Sequence, residues 1–199
     1  SHTDALSAEA VSCARRLGDR GSLAYTLLAR IHCLSGPDLL DERRTLVDEV
    51  LALTAGRGEL AVNAYLWQLG DALQTGRMTE VEASRQMLVR TVHELRQSSD
   101  LWLIPAVESQ HALLAGRLED AERAAQEMLA ESTRNANAEQ TSSALLFLIR
   151  REQGRHGELA AGLQALAYQY PAVAVWRAAL AMLYAATGDA ERARAVIAG

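Results

Sequence analysis

The sequence contains no lysine: all 20 of its basic residues are arginine, set against 25 Asp and Glu for a formal net charge of −5. Such single-type usage reflects a GC-rich bacterial coding bias, and an acidic balance of this kind lacks the basic domain or stripe that direct nucleic-acid binding needs. Proline occurs three times, phenylalanine once, and aromatics make up only 5% of the chain. Alanine and leucine, both strong helix formers, supply 37 and 31 of the 199 residues. That composition excludes an all-β fold and points to an all-α one. No apolar run approaches the roughly 18 to 20 residues that span a bilayer, and no charged-then-apolar signal segment opens the chain. A cytoplasmic protein without a membrane partner is expected. The two cysteines, Cys13 and Cys33, are 20 residues apart with no CxxC pair, so neither a disulfide framework nor a zinc site is indicated. They read as small buried hydrophobes in a reducing compartment.

What the sequence does have is a repeat. A helix-length apolar segment ends in a glycine, a second follows, and the pattern returns at Gly36, Gly76, Gly116, Gly154 and Gly188, with spacings of 40, 40, 38 and 34. Each glycine falls where a helix stops and a tight turn begins, since Gly takes the left-handed conformation at little cost. Around Gly116 the residues Leu103, Val107, Leu113 and Leu114, then Leu118, Ala121, Ala125, Met128 and Leu129, keep helical spacing. Thr79 with Glu82, and Asn137 with Gln140, have capping-box spacing, and Asp100 can cap a segment starting at Leu101. Pro37, Pro105 and Pro171 all fall at boundaries or in early helical turns. About five helix-turn-helix hairpins result.

These residues resemble the tetratricopeptide repeat, two antiparallel helices with small residues at the close approaches and a glycine at the turn. In the last unit Leu180, Ala181, Tyr184, Gly188, Ala193 and Ile197 fall at the repeat's consensus positions; in the fourth, Leu146, Gly154 and Pro171 do. The middle units depart from it at Gln68, Ser109 and Arg150. The resemblance implies one domain over residues 1–199, a right-handed α-solenoid of about five hairpins plus a leading helix at Asp4 to Gly18. That helix looks like the second half of a hairpin, and the chain stops inside another, so the pattern reads as a piece of a longer array, with Ser1 and His2 a cloning scar. Phrases such as RRLGDRGSLAYTLLAR and YPAVAVWRAALAMLYAATGD look like the helical arrays of bacterial multidomain regulators that carry a nucleotide-binding switch domain elsewhere.

Signatures of catalysis are missing: there is no GxSxG, HExxH, GxxxxGK[ST] or GxGxxG. Gly18, Gly21, Gly56 and Gly58 read as turns, and no histidine has a local ligand partner; His93 and His111 lie in adjacent units, near enough in the repeat for an approach across a helix pair, but a lone histidine on a helix reads as a partly exposed or satisfied residue and not a ligand. Asp38 to Glu42 and Glu119-Asp120 sit at second-helix starts, where the helix dipole favours negative charge. The pairs Arg15-Arg16, Arg43-Arg44 and Arg150-Arg151 are too scattered to track phosphates. No enzyme activity, metal or cofactor is expected.

The resemblance places binding on the concave face lined by first helices. Register from the turn glycines puts Thr26, Arg30, Asn63, Leu66, Ala106, Gln110, Ala144 and Arg151 there. Arg30 and Arg151 suit an anionic group, and Asn63 and Gln110 suit a peptide backbone. Of the aromatics, Tyr25, Tyr65 and Tyr184 read as packing residues, whereas Trp67 and Trp102 are open to a ligand-stacking role. The functional expectation is a non-catalytic module that binds a protein or peptide partner, or neighbouring domains of its own chain, as part of a larger regulator. The alternatives are a small-molecule effector held near Trp67 and Trp102, or a homo-oligomeric scaffold.

Overall fold

The computed structural model describes residues 2–34, 36–95, 100–131 and 135–198; Ser1 and Gly199 lie outside them. These residues form eleven α-helices and two short 3-10 turns, with no strand among them. The helices are α1 (His2–Leu17), α2 (Arg20–Cys33), α3 (Leu40–Thr54), α4 (Glu59–Gln74), α5 (Met78–Leu95), α6 (Leu103–Leu114), α7 (Leu118–Glu131), α8 (Ala136–Glu152), α9 (Ala160–Gln169), α10 (Ala174–Ala186) and α11 (Ala190–Ala198). None of the described helices is long and apolar enough to cross a membrane. The chain divides into two compact units, Ser1–Ile104 and Pro105–Gly199.

In unit 1 each of α1 to α4 packs on the next helix, and α2 also touches α4. The core they enclose is aliphatic, built on Leu27, Ile31, Val47 and Val50, with Trp67 partly buried against it. In unit 2, α7 packs on α8, α9 on α10 and α10 on α11. Its core carries rings: Phe147, Trp176 and Tyr184 pack with Leu163, Leu180 and Leu183.

Four of the five repeat glycines take the left-handed conformation, Gly76, Gly116, Gly154 and Gly188, with φ between 68° and 84°. In each case the next amide reaches back over the turn: Arg77 N to Ala72 O at 3.0 Å, Arg117 N to Ala112 O at 2.9 Å, Arg155 N to Arg150 O and Asp189 N to Tyr184 O at 2.8 Å. This is the Schellman closure, which satisfies carbonyls that the helix end leaves open. Gly36 departs from the pattern: its φ is −71° and ψ 149°, and it leads into the 3-10 turn Pro37–Leu39. The cause is the proline that follows, whose ring drives the preceding residue into extended backbone.

Helix starts differ from the sequence expectation by one to two residues. Asn135, two residues before Asn137, caps α8 by accepting from the amides of Asn137 and Ala138 at 3.0 and 3.3 Å. Helix α5 starts at Met78, which puts Thr79 inside its first turn, and the Glu82 carboxylate accepts from Arg85 and Gln86. Asp100 stands three residues ahead of α6, and its backbone carbonyl accepts from Leu103 N at 3.0 Å. The cysteines also differ from expectation: Cys13 is exposed and Cys33 half-buried. Of the described side chains of α1, Val11 and Ala14 are the buried ones, and Cys13 lies off that stripe, where Arg16 Nη2 donates to its sulfur at 3.0 Å.

All three departures from the repeat pattern turn out to be polar residues paired to the next or preceding helix. Gln68 Oε1 accepts from Ser84 Oγ at 3.0 Å. Ser109, fully buried, donates to Ala121 O at 2.8 Å. Arg150 Nε donates to Glu122 Oε1 at 3.0 Å. A buried Ser142 makes the same kind of contact, donating to Ala125 O at 2.7 Å. A small hydroxyl permits close helix approach and finds an acceptor there, so its burial is compensated.

Candidate ligand-binding groove

The residues expected to line a concave face divide between the two units. Thr26, Arg30, Asn63, Leu66, Trp67 and Trp102 belong to unit 1, Gln110 and Arg151 to unit 2. Several are occupied by their own surroundings. Thr26 Oγ1 donates to Ser22 O and Leu23 O, both at 3.0 Å, and Asn63 Nδ2 to Glu59 O at 3.1 Å. Arg30 is held between Glu42 at 2.6 Å and Asp4 at 3.1 Å. The Glu42 hydrogen bond, outweighing partial desolvation, raises its pKa further above the ordinary guanidinium value. Arg151 pairs with the adjacent Glu152 at 2.8 Å. Leu66 and Trp102 are half-buried, and Gln110 is exposed. Ala106 is buried and presents nothing to solvent.

Of the three tyrosines expected to pack, Tyr65 and Tyr184 are buried but Tyr25 is 68% exposed. Leu27, Leu28 and Ile31 take the covered face of α2, and Tyr25 falls on the other side. Desolvation raises the Tyr65 phenol pKa above its ordinary value, with a smaller opposing effect of Arg90.

Trp67 is partly buried against the core of unit 1. The guanidinium of Arg43 lies 5.4 Å from its ring centroid, and the His32 ring meets it edge-on at 5.2 Å. Arg43 is the largest fully buried side chain of the described residues. It donates Nη2 to Asp71 Oδ1 at 2.6 Å and Nε to the same oxygen at 2.9 Å. Nη1 donates to Leu34 O and, at 3.3 Å, to Gly36 O. One side chain of α3 therefore ties the α2–α3 connection to α4. The sequence signal was present but unread: Arg43 stands three and four residues before the buried Leu46 and Val47, on the covered stripe of α3.

In unit 2, Glu122 gathers Arg150 at 3.0 Å and Arg155 at 2.6 Å, and Arg155 also holds Glu158 at 2.7 Å. Burial pushes the Glu122 pKa up, but the hydrogen bonds from Arg150, Arg155 and Gln153 together outweigh it and leave the carboxyl below its ordinary value. Glu158 is likewise lowered, chiefly by its hydrogen bond from Arg155. These charges neutralise one another and offer no open anion site.

An opening does exist between α8 and α10, a cavity of about 590 Å³. It arises from two parallel sequence stripes. On α8, Thr141, Ala144 and Leu148 are spaced by three and four residues; on α10, Val175, Ala178 or Ala179, and Met182 repeat that spacing. Both are helical periods that put side chains on one face. Phe147, Trp176 and Ala179 are buried and make the floor, whereas Val175, at 59% exposure, Met182 and Leu148 stand exposed at the rim. Gln140 and Thr141 supply the polar end. Trp176 Nε1 donates to Gln140 Oε1 at 3.3 Å, which fixes the indole, and Gln140 Nε2 donates to Ala136 O at 3.4 Å. The Thr141 hydroxyl has no hydrogen-bond partner among the described residues. Of the expected concave residues Ala144 lies here, and the tryptophan that lines this cavity is Trp176. The groove was legible in part, because Val175, Ala178 and Met182 form an apolar stripe on the side of α10 opposite to much of its buried face.

Among the described residues no three His, Cys, Asp or Glu converge to hold a metal ion. No protein-family model matches the chain, and no curated protein sequence matches it.

Proposed function

We propose that the chain is a non-catalytic recognition module, a tetratricopeptide-like α-solenoid that serves as the protein-interaction or sensor part of a larger bacterial regulator in the cytoplasm. The observation that carries this reading is the α8–α10 groove: two helices separated in sequence by a complete hairpin partner face an opening with apolar, solvent-exposed walls. Clustered exposed apolar side chains on a folded surface mark binding sites more often than chance placement does. Recurrent Schellman turns at glycines spaced 40, 38 and 34 residues apart support the repeat architecture.

Occupancy of the groove would alter how α8 and α10 pack, and such a change can pass along an array in which each repeat contacts its neighbours. Comparative pull-down from bacterial extract with wild type, the combined Arg30→Ala, Gln110→Ala and Arg151→Ala variant, and Ala178→Trp tests the reading. Loss of a captured partner with Ala178→Trp is the expected outcome. An identical set of captured proteins for all three would reject the assignment.

A further inference from the structure

We infer that the α8–α10 groove binds a neutral, largely apolar, ring-bearing small molecule with one hydrogen-bonding group directed at Thr141. This deepens the recognition reading above and rests on it.

Size comes first: about 590 Å³ lies within the range of roughly 300 to 1,000 Å³ typical of small-molecule pockets. Charge comes second. Among the described residues no ionisable side chain lines the cavity, so an ionised group seated on its floor would leave water without a partner, at a cost that apolar contact does not offset. The floor supplies the rings of Phe147 and Trp176, and aromatic rings favour offset or edge-on partners, while Met182 at the rim supplies a polarizable, adaptable thioether. Polarity is confined to one end. Gln140 is already engaged by Trp176 and Ala136, which leaves the Thr141 hydroxyl to meet a donor or acceptor of the ligand. Thr141 and Leu148 are seven residues apart, about 10 Å along α8 at 1.5 Å per residue, so the polar group belongs at one end of an elongated molecule. An extended peptide fits less well, because its regularly spaced amides would lie against Ala144, Leu148 and Met182 without partners.

The experiment is a fluorescence titration of the whole chain with N-phenyl-1-naphthylamine, a neutral probe that joins a phenyl to a naphthyl group, beside 1-anilinonaphthalene-8-sulfonate, which adds a sulfonate to the same rings. Saturable binding at one site per chain, tighter by about tenfold or more for the neutral probe, is expected. Ala178→Trp, which fills the groove, and Val175→Glu, which places a charge at an exposed rim position, should each weaken the neutral probe by about tenfold or more. Circular dichroism should show both variants helical, and Leu17→Glu, on an exposed apolar residue of α1, should leave binding unchanged. Equal affinity for the two probes, unsaturable binding, or retained affinity in both folded groove variants would overturn the inference. A failed titration beside a groove-dependent pull-down rejects the ligand class alone. A selective titration beside a groove-independent pull-down upholds the ligand site and rejects the partner-recognition reading.

Discussion

Unit 1 buries an ion pair, Arg43 with Asp71, inside an aliphatic core, whereas unit 2 keeps its charge cluster around Glu122 near the surface and builds its core on rings. The difference follows from what each core has to hold. In unit 1 the break at Gly36-Pro37 interrupts the regular turn, and a guanidinium reaching Leu34 O and Gly36 O satisfies carbonyls exposed by that break. In unit 2 the glycine turns close themselves through backbone bonds, so no buried cation is needed. Its interior can then be given to Phe147 and Trp176, which also line the groove between α8 and α10. The irregular turn thus accompanies the cross-braced unit, and the Schellman turns at Gly116, Gly154 and Gly188 accompany the unit that carries the groove.

The largest expected effect lies in the brace. Asp71→Ala leaves the Arg43 charge buried and unpaired, and should destabilise unit 1 by about 3–5 kcal/mol, since breaking one side of a buried pair costs this much. The double replacement Arg43→Met with Asp71→Leu should recover most of that loss. Urea denaturation, with hydrogen exchange read at the α3 and α4 amides, checks both; a single variant losing less than about 1 kcal/mol would show that the pair is solvated.

A smaller effect is expected at the start of α8. Asn135→Ala removes the acceptor for two first-turn amides and should cost about 1 kcal/mol, measured as a lower urea midpoint with unchanged slope. Because α8 forms one wall of the groove, neutral-probe binding should weaken in parallel if fraying of α8 reaches Thr141.

The smallest effect is at Glu122, and it depends on pH. Its pKa is lowered in the folded state relative to the ordinary value of 4.5, so its contribution is present above that value and is lost as pH falls through the folded pKa. Glu122→Gln should therefore reduce the acid sensitivity of unit 2 below pH 4.5 while changing stability at pH 7 by less than about 1 kcal/mol, as for other partly exposed pairs. Parallel urea curves at pH 7 and under acid decide this: equal acid losses for variant and wild type would mean that Glu122 is not the titrating group.

Much of the helical order was legible because it rests on local signals. Gly76, Gly116, Gly154 and Gly188 each stop a helix by a conformation that only glycine adopts freely, and Glu119 and Asp120 do mark the first turn of α7. Gly36 was misread because the neighbouring Pro37 overrides glycine's own preference. The three departures from the repeat pattern, Gln68, Ser109 and Arg150, gave no hint of their partners, because Ser84, Ala121 and Glu122 become neighbours only when helices stack. Arg43 was read only as half of one of three scattered basic pairs for the same reason: its complement, Asp71, is 28 residues away. The candidate site was harder still. Polar residues such as Arg30 and Asn63 looked available in sequence but are engaged within their own unit, while the opening is walled by alanine, valine and methionine, which carry no chemical signature.

The most direct test of the recognition account is methyl NMR of the labelled chain titrated with N-phenyl-1-naphthylamine. The account predicts saturable shifts confined to Leu148, Val175, Met182 and the neighbouring alanine methyls. Shifts centred on unit 1, or spread evenly over exposed methyls such as those of Leu17 and Ile197, would contradict it.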